Sequence, residues 1–180
     1  MNSLLMHEGV LYATAFGRSS EPRGWAERKH EGTGILFRPD TGEDILTGLC
    51  CPHTPRFESN QWIVCNSAGS ELKAFSVDGG LAANVQLRDW VRGIAITDKY
   101  LLVGESVNRL LTSEVRGAAI AVLDRKTWQV LGRLRLPFRE VYDLVLASPE
   151  LVGGILRSPA ARPAMAGGSG GGHNPPGRAW

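Results

Sequence analysis

His53, Arg56, Arg92 and Glu140 are the side chains whose types and spacing can do chemistry in this sequence. An imidazole beside a carboxylate can move a proton or contribute to a metal site. Two guanidinium forks can grip a carboxylate or phosphate through paired hydrogen bonds. All four stand at or near the start of apolar, strand-like segments. Asn66-Ser67, Glu105 and Tyr142 lie at neighbouring segment ends and extend the set. Each residue also has a structural role to weigh. His53, flanked by Pro52 and Pro55, can cap a turn. Arg56 or Arg92 can form a salt bridge with Glu140. Asn66-Ser67 can satisfy backbone groups at a strand end. Trp25 can anchor a loop, and Tyr142-Asp143 can hold a strand start.

The elements that must position these groups form an internal repeat. GILFRPDTGEDIL (34–46), LKAFSVDGGLAANVQL (72–87) and AAIAVLDRKTWQVLGRLRL (118–136) each read as apolar run, aspartate turn, apolar run. Their turn residues Asp40, Asp78 and Asp124 are 38 and then 46 residues apart. Asp and Gly favour tight turns, and the flanking Ile, Val, Phe, Leu and Trp favour strands, so each segment reads as a hairpin. Between them fall LYATAFG (11–17), WIVCNS (62–67) and YLLVGES (100–106), two of which follow a short strand and a polar turn at Glu58–Asn60 or Thr97–Lys99. A last strand is expected over EVYDLVLAS (140–148).

Four strands in about 40 to 50 residues is the period of a β-propeller blade. With strands a to d running outward from the axis, the chain reads b-c-d, a-b-c-d, a-b-c-d, a. The expected fold is all-β: a partial β-propeller of about two complete four-stranded blades plus two partial blades. A β-sandwich shares short strands and frequent turns, but the aspartate turn repeated at matching phase favours the propeller. Helical periodicity is nearly absent; RGWAERKHE (23–31) offers one helical turn. The incomplete propeller is expected over residues 1–156. The Gly- and Pro-rich stretch 157–180 reads as a disordered tail, or as a shifted frame of a GC-rich gene.

In this arrangement one face of the array receives only short turns. The other receives the long loop 17–32 with Arg18, Arg23, Trp25, Lys29 and His30, the segment 51–56, Asn66-Ser67, Trp90 and Arg92. It also receives the insertion 105–117 with Glu105, Ser106, Asn108 and Arg109, and then Arg139, Glu140 and Tyr142. Long loops on one face of a rigid scaffold are where binding usually resides. His53, Arg56, Arg92 and Glu140 would then converge on the mouth of the central channel.

Bulk properties narrow the function classes. Across 180 residues, 43% hydrophobic and 21% charged residues are ordinary for a globular domain. The net charge of +2 argues against nucleic-acid or membrane-surface binding. The basic stretch 125–139 reads as a solvated strand face. No apolar run approaches the roughly 20 residues of a membrane span, and the first residues lack a signal-peptide pattern. Adjacent Cys50 and Cys51 point to opposite sides if extended and do not jointly grip an ion. With Cys65 they read as reduced thiols of a cytoplasmic protein. Hydrolase, phosphate-loop and zinc-protease motifs are absent from the sequence. No cofactor or metal is implied.

GW-x-x-x-K at 24–29, GL-x-x-PHTPR at 48–56, NSAGSEL at 66–72, RG at 92–93, VGES at 103–106 and REVYD at 139–143 occur in this order. The set resembles an uncharacterised bacterial β-propeller family, a domain of unknown function, over roughly Leu11 to Leu156. Members are about twice this length, which implies that N-terminal blades are missing here. The resemblance supports the fold and implies no reaction.

Three functions follow as expectations. The first is a binding or scaffold module whose long-loop face, through His53, Arg56, Asn66, Ser67, Arg92, Glu105, Glu140 and Tyr142, takes a small anionic ligand or a partner peptide. The second is a metal-assisted lactonase- or lyase-like enzyme using Glu140, His53, Asn66 and Glu105. The third is a truncated gene product without independent function, whose open blade edges aggregate or pair with a second copy.

Overall fold

The computed structural model describes residues 2–18, 26–107 and 117–157, without the side chain of Leu156. Among the described residues twelve strands form three antiparallel sheets, each a simple up-and-down meander. The first holds β1 (Ser3–His7), β2 (Val10–Ala15), β3 (Gly34–Phe37) and β4 (Asp44–Leu49). The second holds β5 (Pro52–Glu58), β6 (Gln61–Asn66), β7 (Glu71–Ser76) and β8 (Leu81–Gln86). The third holds β9 (Trp90–Ile96), β10 (Tyr100–Ser106), β11 (Ala119–Asp124) and β12 (Val130–Arg135).

The first strands are neighbours in space, β1 beside β5 and β5 beside β9, as the inner strands of successive blades are. Side-chain alternation then dictates the cores. On β6, Trp62 and Val64 face the first sheet, where they pack with Leu36, Leu46 and Leu49. Ile63 and Cys65, one residue out of phase, face the third sheet and pack with Ile94, Leu101, Val103 and Leu123. A strand buried on both faces reads as a continuous apolar run, which is what WIVC is. Each fully buried Leu or Ile contributes roughly 1.5–3 kcal/mol.

Two of the aspartates brace their turns as expected, while the Asp40 carboxylate accepts from the Arg38 guanidinium. Asp124 Oδ1 accepts from the backbone N–H of Lys126 at 3.0 Å and of Thr127 at 2.8 Å. Asp78 Oδ1 accepts from Gly80 N–H and from the Ser76 hydroxyl.

The partial propeller stands, but its blades are distributed differently from the sequence expectation. Three sheets are complete. Ser3–His7 supplies the inner strand of the first, so that sheet does not start at its second strand. The link is a two-residue turn, with Glu8 at φ 49° and Gly9 at φ 77°, the positive-φ pair of a type I′ hairpin. Ser59 and Asn60 repeat it between β5 and β6 at φ 51° and 61°.

The strand expected over 140–148 does not form. Residues 139–141 instead bond to the end of β10: Val107 N–H donates to Arg139 O at 2.8 Å. The Ser106 hydroxyl donates to Val141 O at 3.0 Å and accepts from Val141 N–H at 2.9 Å. One side chain thus takes the place of a strand ladder.

The compact β unit ends at Leu146, and a second unit follows from Ala147. That unit contains a helix the sequence reading missed, α1 (Pro149–Arg157). Ser148 caps it, accepting from Leu151 N–H at 3.3 Å through its hydroxyl. Proline at the first position, Glu150 in the first turn and Arg157 in the last complete a favourable helix start and stop. Ser-Pro-Glu was the available signal. Of the tail expected over 157–180, Arg157 ends this helix and 158–180 lie outside the described residues, as do Arg23, Trp25, Asn108 and Arg109.

Candidate functional site

His53 enters the site through a distorted strand start. Cys51 and Thr54 have positive φ, 51° and 48°, uncommon for a β-branched residue such as Thr54. The β5–β6 register shifts between His53 and Arg56. The Thr54 hydroxyl is used at once, accepting from Gly93 N–H at 3.0 Å.

The His53 ring is buried, with 7% of the residue exposed. Its Nδ1 lies 3.0 Å from Cys51 O and 2.7 Å from Ser67 Oγ. A carbonyl can only accept, so Nδ1 carries the proton. The Ser67 hydroxyl accepts from it and passes its own proton to Val91 O at 2.6 Å. This hydrogen-bond pattern assigns the tautomer, and Nε2 is the unprotonated nitrogen. Burial, and next the Arg92 charge, push the His53 pKa down to about 3, against the opposing Cys51 carbonyl. The ring is therefore neutral at physiological pH.

Aromatic rings surround it. Phe16 lies 5.2 Å and Trp90 6.1 Å away, centroid to centroid. Arg92 places its guanidinium carbon 5.8 Å from the Trp90 ring and 5.2 Å from the Tyr142 ring. A weakly hydrated planar cation suits this cleft between rings. The Trp90 indole N–H is buried and finds no acceptor among the described residues.

Of the expected site residues, the structure brings His53, Ser67, Arg92 and Tyr142 into one connected group. Phe16 was not among the residues expected on the loop face, and Trp90 was named there without a role. Their signal was an aromatic at the end of β2 and another at the start of β9.

The other nominees are held elsewhere. Asn66 accepts from Cys50 N–H at 2.5 Å and donates to Glu71 Oε2 at 2.6 Å, tying its own blade. Glu105 is 3% exposed and is gripped by Arg133, Nε to Oε2 at 2.8 Å and Nη2 to Oε1 at 3.1 Å. Arg88 N–H adds a third bond to it at 3.0 Å. Arg56 donates to Ile94 O at 3.1 Å and meets Asp143 at 3.3 Å. Its recorded carboxylate partner is thus Asp143, three residues beyond the expected Glu140. Glu140 itself is half-buried. Among the described residues no three His, Cys, Asp or Glu side chains group as a metal site. The four groups named for an ion are not assembled around one point.

The basic stretch 125–139 is not uniformly solvated. Arg125 pairs with Glu58 across two blades, and Arg133 holds Glu105.

The model of one family, described as a domain of unknown function (DUF4915), matches residues 1–150. The chain belongs to this family. One solved propeller supports the fold of this chain, and two further structures are similar to it. The WD40 β-propeller domain of Doa1 matches with a TM-score of 0.51 at 16% identity, over 77% of this chain and 40% of that one. A protein of unknown function from Bacteroides caccae matches with a TM-score of 0.48 at 14% identity, over 75% and 46%. Apo AztD from Citrobacter koseri matches with a TM-score of 0.42 at 18% identity, over 61% and 30%. The family member described here spans less than half the length of each of these chains. No curated protein sequence matches it significantly. Among the described residues no helix is long and apolar enough to cross a membrane.

Proposed function

We propose that the protein is a binding module whose loop face takes a small oxyanionic ligand at the group formed by His53, Trp90, Arg92 and Tyr142. The observation that carries this reading is the pairing of donors. The Trp90 indole N–H lacks an acceptor among the described residues, and the Arg92 guanidinium lies 5.8 Å from the same ring. Both groups only donate hydrogen bonds. A buried donor without a partner costs about 1–3 kcal/mol, which an acceptor oxygen on a ligand would offset. Neutral His53 adds no charge, which leaves Arg92 as the cation of the group. Its Nε2 is an acceptor, which suits a ligand hydroxyl beside the oxyanion.

The buried thiols Cys51 and Cys65 support a reducing, cytoplasmic setting for this module.

The test is calorimetric titration with succinate and with inorganic phosphate, read in parallel by Trp fluorescence. Binding to the native protein is expected for one of them, with a loss of about tenfold or more in Arg92→Gln, since a charged hydrogen bond is worth about 1.5–3 kcal/mol. Trp90→Phe should remove most of the fluorescence response. Binding that is unchanged in both variants, or no binding of either probe, overturns the reading.

A further inference from the structure

A bulge in β9 sets the position of Arg92. Trp90 pairs with Ser106, Val91 with Glu105 and Arg92 with Gly104, but the next pair is Ile94 with Val103. Gly93 is therefore the extra residue, at φ 73°, and its N–H donates to the Thr54 hydroxyl at 3.0 Å. A bulge of this kind re-aims the neighbouring side chain. Residues 139–144 lie directly on it. A Cβ at Gly93 would stand 2.8 Å from the backbone carbonyl carbon of Asp143, and one at Gly104 would stand 2.5 Å from Val141 Cγ1. This close approach carries Tyr142, which lies between those two residues in the chain, to Arg92. The result is a row of rings with a cation in it. Phe16, His53 and Trp90 follow one another at centroid separations of 5.2 and 6.1 Å. The Arg92 guanidinium carbon lies 5.8 Å from the Trp90 ring and 5.2 Å from the Tyr142 ring. Tyr142 ends the row and is 66% exposed, so a molecule that pairs with Arg92 from solvent lies beside its ring.

We propose that the ligand of this group is a flat aromatic carboxylate, with Arg92 holding the carboxylate and Tyr142 stacking on the ring. The proposal rests on the oxyanion reading of this group and chooses among oxyanions. Guanidinium donors lie in one plane and match a carboxylate in the same plane. In an aromatic acid the ring is conjugated to the carboxylate and shares its plane, so the two enter as one flat body. Aromatic pairs gain from offset or edge-to-face contact beyond the area they bury. A second anionic group would have to leave water against ring faces that are themselves electron-rich. Inorganic phosphate has no surface to lay on the rings. The arrangement thus discriminates against dicarboxylates and against phosphate.

Calorimetric titration of the full chain with benzoate and with cyclohexanecarboxylate tests it. The two acids share their charge and carbon skeleton, and only the first is flat. Benzoate is expected to bind about threefold or more tightly. Tyr142→Leu should weaken benzoate and bring the two affinities within about twofold, whereas Tyr142→Phe should keep the preference. Tyr142 is exposed, so both variants should keep their fold, checked by circular dichroism. The comparison of the two acids on the native chain needs no variant.

Equal or tighter binding of cyclohexanecarboxylate, succinate or phosphate overturns the proposal, as does a benzoate preference that survives Tyr142→Leu. Where Arg92→Gln still weakens the anion that binds, the oxyanion reading stands without it. If benzoate, cyclohexanecarboxylate, succinate and phosphate all fail to bind, both fall together.

Discussion

The Ser67 hydroxyl stands between His53 Nδ1 at 2.7 Å and Val91 O at 2.6 Å, joining the second sheet to the third through one oxygen. All three groups are buried, so each depends on the others for its hydrogen bonds.

Ser67→Ala should therefore destabilise the protein by about 1–3 kcal/mol, because two buried polar groups lose their partner. Urea unfolding should show a lower midpoint at an unchanged slope. A shift under 0.5 kcal/mol would mean that the hydroxyl bridge carries little.

His53 makes stability depend on acid. Its folded pKa, about 3, lies below the ordinary value of 6.5. The unfolded chain thus binds the proton more readily, and stability rises with pH in this window. The contribution is fully present above about pH 6.5 and is lost as pH falls towards 3, at about 1.4 kcal/mol per pH unit. Unfolding free energies of the native protein and His53→Gln, measured from pH 7 to 4, should differ in slope by that amount. Parallel slopes would show that His53 is not held neutral.

Arg133→Met should cost about 3 kcal/mol, since it leaves the buried Glu105 carboxylate with only the Arg88 N–H. The exposed pair Arg38–Asp40 is the control, and Asp40→Asn should leave the melting temperature nearly unchanged. Equal effects at the two sites would contradict the burial contrast.

Gly104→Ala tests the packing of residues 139–144. A Cβ at Gly104 would lie 2.5 Å from Val141 Cγ1 and would also collide with Arg92 O. Overpacking of this kind costs about 1–3 kcal/mol. The variant should also displace Arg92, so ligand binding and stability should fall together in calorimetry. A fully stable variant would show that Val141 moves freely.

The thiols should divide by burial. Burial pushes the Cys51 thiol up to about 12 and Cys65 higher still. The thiolate is the reactive form, so a disulfide reagent at pH 8 should modify half-buried Cys50 first. Cys51 and Cys65 should react on the timescale of unfolding.

Much of the fold was legible because local chemistry carried it. The turns at Asp78 and Asp124 are made by side chains reaching two or three residues along the chain, and WIVC announces a strand buried on both faces. These signals need no partner distant in sequence. The first strand was harder to read. Leu4-Leu5-Met6 shows no polar alternation, and the turn residues Glu8 and Gly9 were not matched to Ser59-Asn60. Helix α1 was overlooked because LVLAS and ELVGGIL form one apolar stretch, in which only Ser148-Pro149 marks the change.

The site divides the same way. The sequence alone determined that His53 and Arg92 stand near the starts of inner strands, because the spacing of turns and apolar runs sets that, whereas Tyr142 lies in residues that form no strand. Only the tertiary structure decided their partners. Whether Arg56 meets Glu140 or Asp143 depends on how residues 139–144 lie, and whether Glu105 meets a ligand or Arg133 depends on how β10 and β12 sit on either side of β11. The carboxylates are chemically alike, and contacts between residues 28 to 87 positions apart are set by packing between strands.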